Sequence, residues 1–210
     1  MKIHTVIITH NRLELTKQVI ESYLETVTIP HTLWVVDNAS TDGTREWLLD
    51  NYDYGLSLLK ENRYPGYSAN LGFSLAPSDA TLLHRADNDF AFREGWSEQV
   101  VRAFKNPKLG QLGLRTDDEE TDSSGPVASN VGGCCVIRRE LWNAGLRYDE
   151  RTWPEFREQV GPGITEDSFM SSAVEQMGLR PKLVAGSREN IKVTWPEDLA
   201  MAQSILERRP

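Results

Sequence analysis

Cysteine, histidine, long apolar runs and clustered positive charge are all scarce in this 210-residue chain, and each shortage removes a class of protein. The two cysteines, Cys134 and Cys135, are adjacent. Neighbouring cysteines offer neither an ordinary disulfide framework nor the spaced pairs of a zinc site, so both read as core filling. The longest apolar runs, such as Thr5 to Ile8 and Leu33 to Val36, fall far short of the roughly 20 residues that a membrane-spanning helix needs. The opening Met1-Lys2-Ile3-His4 has no apolar stretch or cleavage site of the signal-peptide kind, which makes a cytoplasmic location the expectation. Lys and Arg together number 23 against 31 Asp and Glu, a formal net charge of -8. That balance disfavours an extended nucleic-acid or anionic-lipid footprint, while leaving room for a local basic cleft.

What is present is a folding pattern. With 39% hydrophobic residues the chain can bury one substantial core, here read as residues 1–189, with 190–210 as a C-terminal helical extension. The first ninety residues alternate short β-rich runs with amphipathic segments, the rhythm of βαβ units. Ile3 to Ile8, Thr32 to Val36, Leu56 to Lys60 and Ala80 to Arg85 read as strands. Between the first two, Leu15, Val19, Ile20, Tyr23 and Leu24 recur at helical spacing; Arg45 to Asn51 and Ser68 to Leu75 read as the next helices. Parallel neighbours require crossovers, so an α/β fold with a mostly parallel, Rossmann-like sheet flanked by helices is the economical arrangement. Farther on, Trp96, Val100, Val101 and Phe104 fit a helix face, Leu109 to Arg115 and Val131 to Ile137 read as strands, and Arg138 to Ala144 and Thr165 to Met177 as helices. The acidic stretch Thr116 to Pro126 is either a solvated loop or a lid, and Pro196 to about Leu206 reads as a final helix.

In open α/β sheets ligands sit beyond the carboxyl ends of the strands, and those positions are polar here. They carry Thr9-His10-Asn11-Arg12, then Asp37-Asn38-Ala39-Ser40-Thr41-Asp42-Gly43-Thr44, then Asn62 and Gly66, then Asp87-Asn88-Asp89. Singly, each has a plain explanation: Asn11 as a helix start, Asp42-Gly43 as a turn, any of residues 42 to 44 as a cap. Asp87 and Asp89, at i and i+2, can hold one hard cation such as Mg²⁺ or Mn²⁺ and leave positions open for phosphate oxygens. His10 and His84 are weighed as ligands against hydrogen-bonded structural roles, and Trp142 and Trp153 as sugar-stacking residues against core packing.

These segments resemble a family 2 glycosyltransferase of the GT-A fold: Val6 to Arg12, Val35 to Thr44, Gly66-Tyr67-Ser68-Ala69-Asn70-Leu71-Gly72, Asp87-Asn88-Asp89, Gly133 to Trp142 and Thr165-Glu166-Asp167. The resemblance implies a nucleotide-sugar-binding half over residues 1–92 and an acceptor half over 110–178. It implies that Thr9, Asn11, Arg12, Asp37, Asn38, Asp42, Asn70 and Asp87 surround the donor, UDP-linked by preference. Asp89 and Asp87 would hold Mn²⁺ or Mg²⁺, and Asp167 would be the general base with Glu166 orienting it or standing in its place. Acids in the first turn of a helix are also favoured by its dipole alone. The acceptor would be a hydroxyl of unknown class, a modified nucleobase included.

Two departures bear on that resemblance. No Gln-x-x-Arg-Trp motif follows Asp167, which argues against processive polymer synthesis, and no histidine follows His84 to complete a metal site. The tail, Asn190 to Ala200, resembles instead the end of the methylerythritol-phosphate-pathway cytidylyltransferases. A nucleotidyltransferase is therefore the rival, although residues 3 to 12 contain no glycine for a triphosphate-cradling loop. A catalytically silent nucleotide-sugar or carbohydrate binding module is the third reading.

Overall fold

The computed structural model describes residues 1–51, 54–115, 132–160 and 166–185. Four crossover units open the chain: β1 (Ile3–Thr9), α1 (Leu13–Thr26), β2 (His31–Asp37), α2 (Thr44–Asn51), β3 (Gly55–Leu58), α3 (Tyr64–Ser74), β4 (Leu82–Asp87) and α4 (Trp96–Ala103). They are followed by β5 (Leu109–Arg115), β6 (Cys135–Arg138), α5 (Arg139–Asn143), α6 (Trp153–Val160), α7 (Glu166–Gln176) and β7 (Arg180–Ala185).

The seven strands form one sheet in the order β3-β2-β1-β4-β6-β5-β7. β1 pairs in parallel with both β2 and β4, so the chain reverses its direction of growth between β1 and β4. That switch point opens a crevice at the carboxyl edge, where a ligand can enter between diverging loops. β6 runs antiparallel to β4 and β5, whereas β7 returns parallel to β5. Cores cover both faces, as buried strands require. Ile3, Ile7, Val35 and Leu82 pack against Val19, Ile20 and Tyr23 of α1, Leu48 of α2, and Trp96 and Val100 of α4. Val6, Ile8, Val36 and Leu83 pack against Ala69 and Phe73 of α3, Leu141 of α5, and Met170 and Val174 of α7.

The α/β class, the mostly parallel sheet and its early elements agree with the sequence. Two elements, α6 and β7, are additional. Pro181 lies within β7, a residue that argues against a central strand, and β7 is tolerated because it is the edge strand of the sheet. Cys134 and Cys135 are buried free thiols, and burial raises both of their pKa values, that of Cys135 to about 11. The loop Thr116–Pro126, the start of the strand expected from Val131, the Gly161-Pro162-Gly163 turn with Thr165, and the tail helix from Pro196 lie outside the described residues. So do the side chains of Glu166 and Trp153.

Candidate active site

Alternation along β4 sets the site. Leu82 and Ala86 face one core and Leu83 the other, which puts Arg85 and Asp87 on the face that α7 covers. Arg85 is 1% exposed and is the largest side chain buried to that extent. Its Nη1 donates to Asp167 Oδ1 at 2.8 Å, and its Nε and Nη2 donate to Asp87 Oδ1 at 3.3 and 3.1 Å. One guanidinium thus joins a carboxylate at the end of β4 to a carboxylate in the first turn of α7. Beneath it the Tyr148 ring lies 5.0 Å from the guanidinium carbon. Gly133, facing Asp87 from the residues before β6, has no side chain for a reason: a Cβ there would stand 1.9 Å from Asp87 Oδ2.

Asp89 lies beyond Asp87 and pairs with Arg12, Nη1 to Oδ2 3.3 Å, across the switch point. Between the two aspartates, Asn88 is buried, and its Nδ2 reaches Thr9 Oγ1 (3.2 Å), Thr16 Oγ1 (3.1 Å) and the Asn11 carbonyl (2.9 Å). Asn11 also accepts from Thr41 N with its Oδ1 at 2.8 Å, and its own N–H donates to Ser40 Oγ at 2.7 Å. The loops after β1, β2 and β4 are therefore one hydrogen-bonded assembly.

Several residues expected around a donor serve that assembly. Asp37 is fully buried, accepts from Arg45 Nε at 3.1 Å and lies 3.3 Å from Ser40 N; Arg45 Nη2 also donates to the Leu59 carbonyl. Asn38 Oδ1 accepts from Arg63 N at 2.7 Å, tying β2 to the entry of α3. Asp42 accepts from Leu13 N (3.0 Å) at the start of α1 and from Thr44 N and Oγ1 at the start of α2. Desolvation raises its pKa and is the largest single influence, but these donors together outweigh it, and the net shift is downward. Asn70 Nδ2 donates to Tyr148 O and Glu150 Oε1, while its Oδ1 accepts from Tyr148 N at 3.0 Å.

Backbone strain gathers at the same edge. Asn11, Arg12, Ala39 and Tyr64 all have positive φ near 60° and lie in the connections leaving β1, β2 and β3. Each such non-glycine residue costs about 1 kcal/mol or more, and strain of this kind persists where a binding site is being shaped.

The two histidines weighed as ligands have other partners. His10 Nδ1 donates to the Asn38 carbonyl at 2.7 Å. His84 is buried on the opposite face of β4, between Thr5 Oγ1 and Cys134 Sγ, and burial lowers its pKa to about 3. Trp142 is in the core, edge-on to Phe73, with Arg147 stacked 3.4 Å from its ring centroid. Among the described residues no three His, Cys, Asp or Glu side chains converge on a point that would hold a metal. Asp87 and Asp89 supply oxygen donors of the kind a hard cation takes, and Asp87 Oδ2 occupies the space that Gly133 leaves without a Cβ. Arg85 and Arg45 were not singled out in the sequence, and Asn88 and Gly133 stood only as members of motifs; a charged residue inside an apolar strand was the available signal for Arg85.

Residues 5–122 match the family described as glycosyl transferase family 2. The chain belongs to that family. Family 2 membership and this sheet agree with the solved structures it resembles, which have the GT-A fold. One is a mannosyltransferase from Pyrobaculum calidifontis in complex with GDP-Man and Mn²⁺, with a TM-score of 0.69, 18% identity and coverage of 99% of this chain and 64% of that one. Another is TarS of S. aureus, with a TM-score of 0.67, 15% identity and coverage of 98% and 39%. A third is the 4-diphosphocytidyl-2C-methyl-D-erythritol synthase of Anaerococcus prevotii, with a TM-score of 0.61, 16% identity and coverage of 98% and 96%.

Residues 154–208 match a different family, 2-C-methyl-D-erythritol 4-phosphate cytidylyltransferase. Curated relatives bear that name. The protein from Chromohalobacter salexigens is 52% identical over 150 residues, 68% of this chain and 57% of that protein. A bifunctional enzyme IspD/IspF from Albidiferax ferrireducens is 49% identical over 147 residues, 69% and 33% of the two chains. Across three such relatives the chain spans 32%, 56% and 33% of their length. These likenesses are to transferases of the glycosyl and nucleotidyl kinds. No helix among the described residues is long and apolar enough to cross a membrane.

Proposed function

We propose that the chain is a divalent-metal-dependent, inverting glycosyltransferase that moves a sugar from a nucleoside diphosphate, UDP by preference, to an acceptor hydroxyl. The observation that carries this reading is the pairing of Asp87 and Asp167 across Arg85, which sets the strand-end carboxylates beside a carboxylate at the start of α7. Asp87 and Asp89 would hold Mn²⁺ or Mg²⁺, and a bound cation supplies neutralisation of the charge that develops on the leaving diphosphate. Arg12, 52% exposed on its side chain, is placed to turn from Asp89 to a phosphate oxygen. Thr9, Asn11, Asn38, Asp42 and Asn70 act on the donor chiefly by fixing the loops that border it, and Asp37 acts through Arg45.

Asp167 Oδ1 accepts from Arg85 Nη1 at 2.8 Å, and in this reading Asp167 is the general base. It takes the proton from the acceptor hydroxyl while that oxygen bonds to the anomeric carbon and the bond from that carbon to the diphosphate oxygen breaks. Attack opposite the leaving group inverts the configuration.

Cytidylyl transfer is the second reading, favoured by the match over residues 154–208 and by the named relatives. Calorimetric titration with UDP, GDP, CDP, dTDP and CTP, each with Mn²⁺ and with EDTA, separates the two. Metal-dependent binding of one diphosphate favours sugar transfer, and a clear CTP preference favours the rival. Asp89→Ala is expected to weaken metal-dependent diphosphate binding tenfold or more. Asp167→Asn is expected to bind donor normally and lose about 10²- to 10⁴-fold in transfer; full transfer by this variant would remove Asp167 from the role of base.

A further inference from the structure

From the bridge between Asp87 and Asp167 we infer that Arg85 is a positioning residue, one that fixes the base at the start of α7 relative to the donor-side carboxylates of β4. This inference rests on the glycosyltransferase reading above.

Arg85 sits in an apolar neighbourhood that would suit an aliphatic residue. Leu83, Cys135, Ile137, Met170 and Val174 form the core on that face, and Cys135 is its partner in register on β6. Burying a guanidinium costs several kcal/mol, and apolar replacements of buried ion pairs are often neutral or stabilising, so folding alone is a weak reason to have an arginine here. The geometry supplies a better one. A guanidinium is planar and permanently charged, with donors on opposite edges at fixed angles. Here Nη1 serves Asp167 while Nε and Nη2 serve Asp87, so the separation and orientation of the two carboxylates are set by a rigid plate.

The plate is itself held. Tyr148 supports it from one side, and the backbone of Tyr148 is clamped by Asn70, whose amide bonds both its N–H and its carbonyl. Tyr148 Oη lies 3.0 Å from Cys135 Sγ, which fixes the ring against β6. A chain of contacts therefore runs from α3 through Tyr148 to Arg85 and ends on both carboxylates. Electrostatics gives the plate a second task. Asp87, Asp89 and Asp167 share one edge that must admit a diphosphate, and Arg85 offsets part of their repulsion without occupying the crevice.

The test uses the full chain with Arg85→Lys and Arg85→Met. Binding is read by calorimetry with UDP and Mn²⁺, and turnover as UDP or GDP release from UDP-GlcNAc and GDP-mannose, to water and to added sugar acceptors. Both variants are expected to bind UDP·Mn²⁺ at one per chain, with Kd weakened by no more than about tenfold because Asp87 loses a partner and the crevice an offsetting charge. kcat is expected to fall roughly 100-fold for Arg85→Met and roughly tenfold for Arg85→Lys, which keeps charge and loses the fork. A merely structural Arg85 would lower the binding stoichiometry and kcat in proportion, and that outcome overturns the positioning role. Wild-type kcat in either variant overturns it as well; if Arg85→Met does not fold, Arg85→Lys decides. Absence of turnover and of UDP·Mn²⁺ binding in the wild type overturns the glycosyltransferase reading itself, and the role of Arg85 with it.

Discussion

Asn88 shows how one side chain can tie together the ends of two strands and the helix between them. Its two amide hydrogens are shared among Thr9 Oγ1, Thr16 Oγ1 and the Asn11 carbonyl, so the loop after β4 carries the loop after β1 in its left-handed conformation. Removing the amide takes the nearest of three donors from the part-buried Asn11 carbonyl, which costs about 1 kcal/mol or more. Asn88→Ala should therefore lose about that much stability in urea unfolding and should also weaken UDP·Mn²⁺ binding, since Asn11 and Arg12 are released. Unchanged stability would show that the amide is replaceable by water.

At the scale of elements, α1 and α2 share a cap. Helix α1 begins behind Arg12, which makes no side-chain cap, and its first free N–H is met by Asp42 from the loop after β2, while the same carboxylate starts α2. Asp42→Ala is expected to cost about 1–2 kcal/mol, the range of a good cap. The pKa of Asp42 is lowered in the folded state, so the contribution is fully present above the ordinary aspartate value of about 4 and disappears as pH falls through the lowered folded value. Unfolding curves of wild type and Asp42→Ala should thus converge at acid pH. The sequence offered Asp42 either as a cap or as part of a donor site, and the local spacing could not show that it caps two helices. The four strand-end motifs were legible because period-two alternation and turn residues mark where each strand stops. Asn70 was legible only as a member of a motif, because its partner Tyr148 is 78 residues away. The reversal of β6 had no signal at all: four apolar and basic residues, Cys135 to Arg138, read the same in either direction.

Over the whole molecule, acid sensitivity should be set by two buried histidines, His4 and His84, on strands of the sheet. His4 is buried with Nε2 donating to the Gly72 carbonyl, and burial, only partly countered by that bond, lowers its pKa to about 4. His84 is lowered by burial to about 3. Both fall below the unfolded value near 6.5, so the unfolded chain binds more protons between that value and the folded ones. Stability is fully present above about pH 6.5 and declines as pH falls, by up to about 1.4 kcal/mol per pH unit for each histidine. His84→Gln should flatten the decline between pH 6 and 4 in urea unfolding; an unchanged slope would assign the sensitivity elsewhere.

Among the described residues β6 is the one reversed strand, and its direction decides on which edge its neighbours meet it. Because β6 opposes its neighbours, it begins at the edge where β4 and β5 end, so the end of β5 at Arg115 and the start of β6 at Cys135 both lie on the crevice side. β7 also ends there, at Ala185. Changes confined to the chain beyond those points leave the described strand registers and both cores as they are, so under the proposed function this edge is where acceptor preference would be varied.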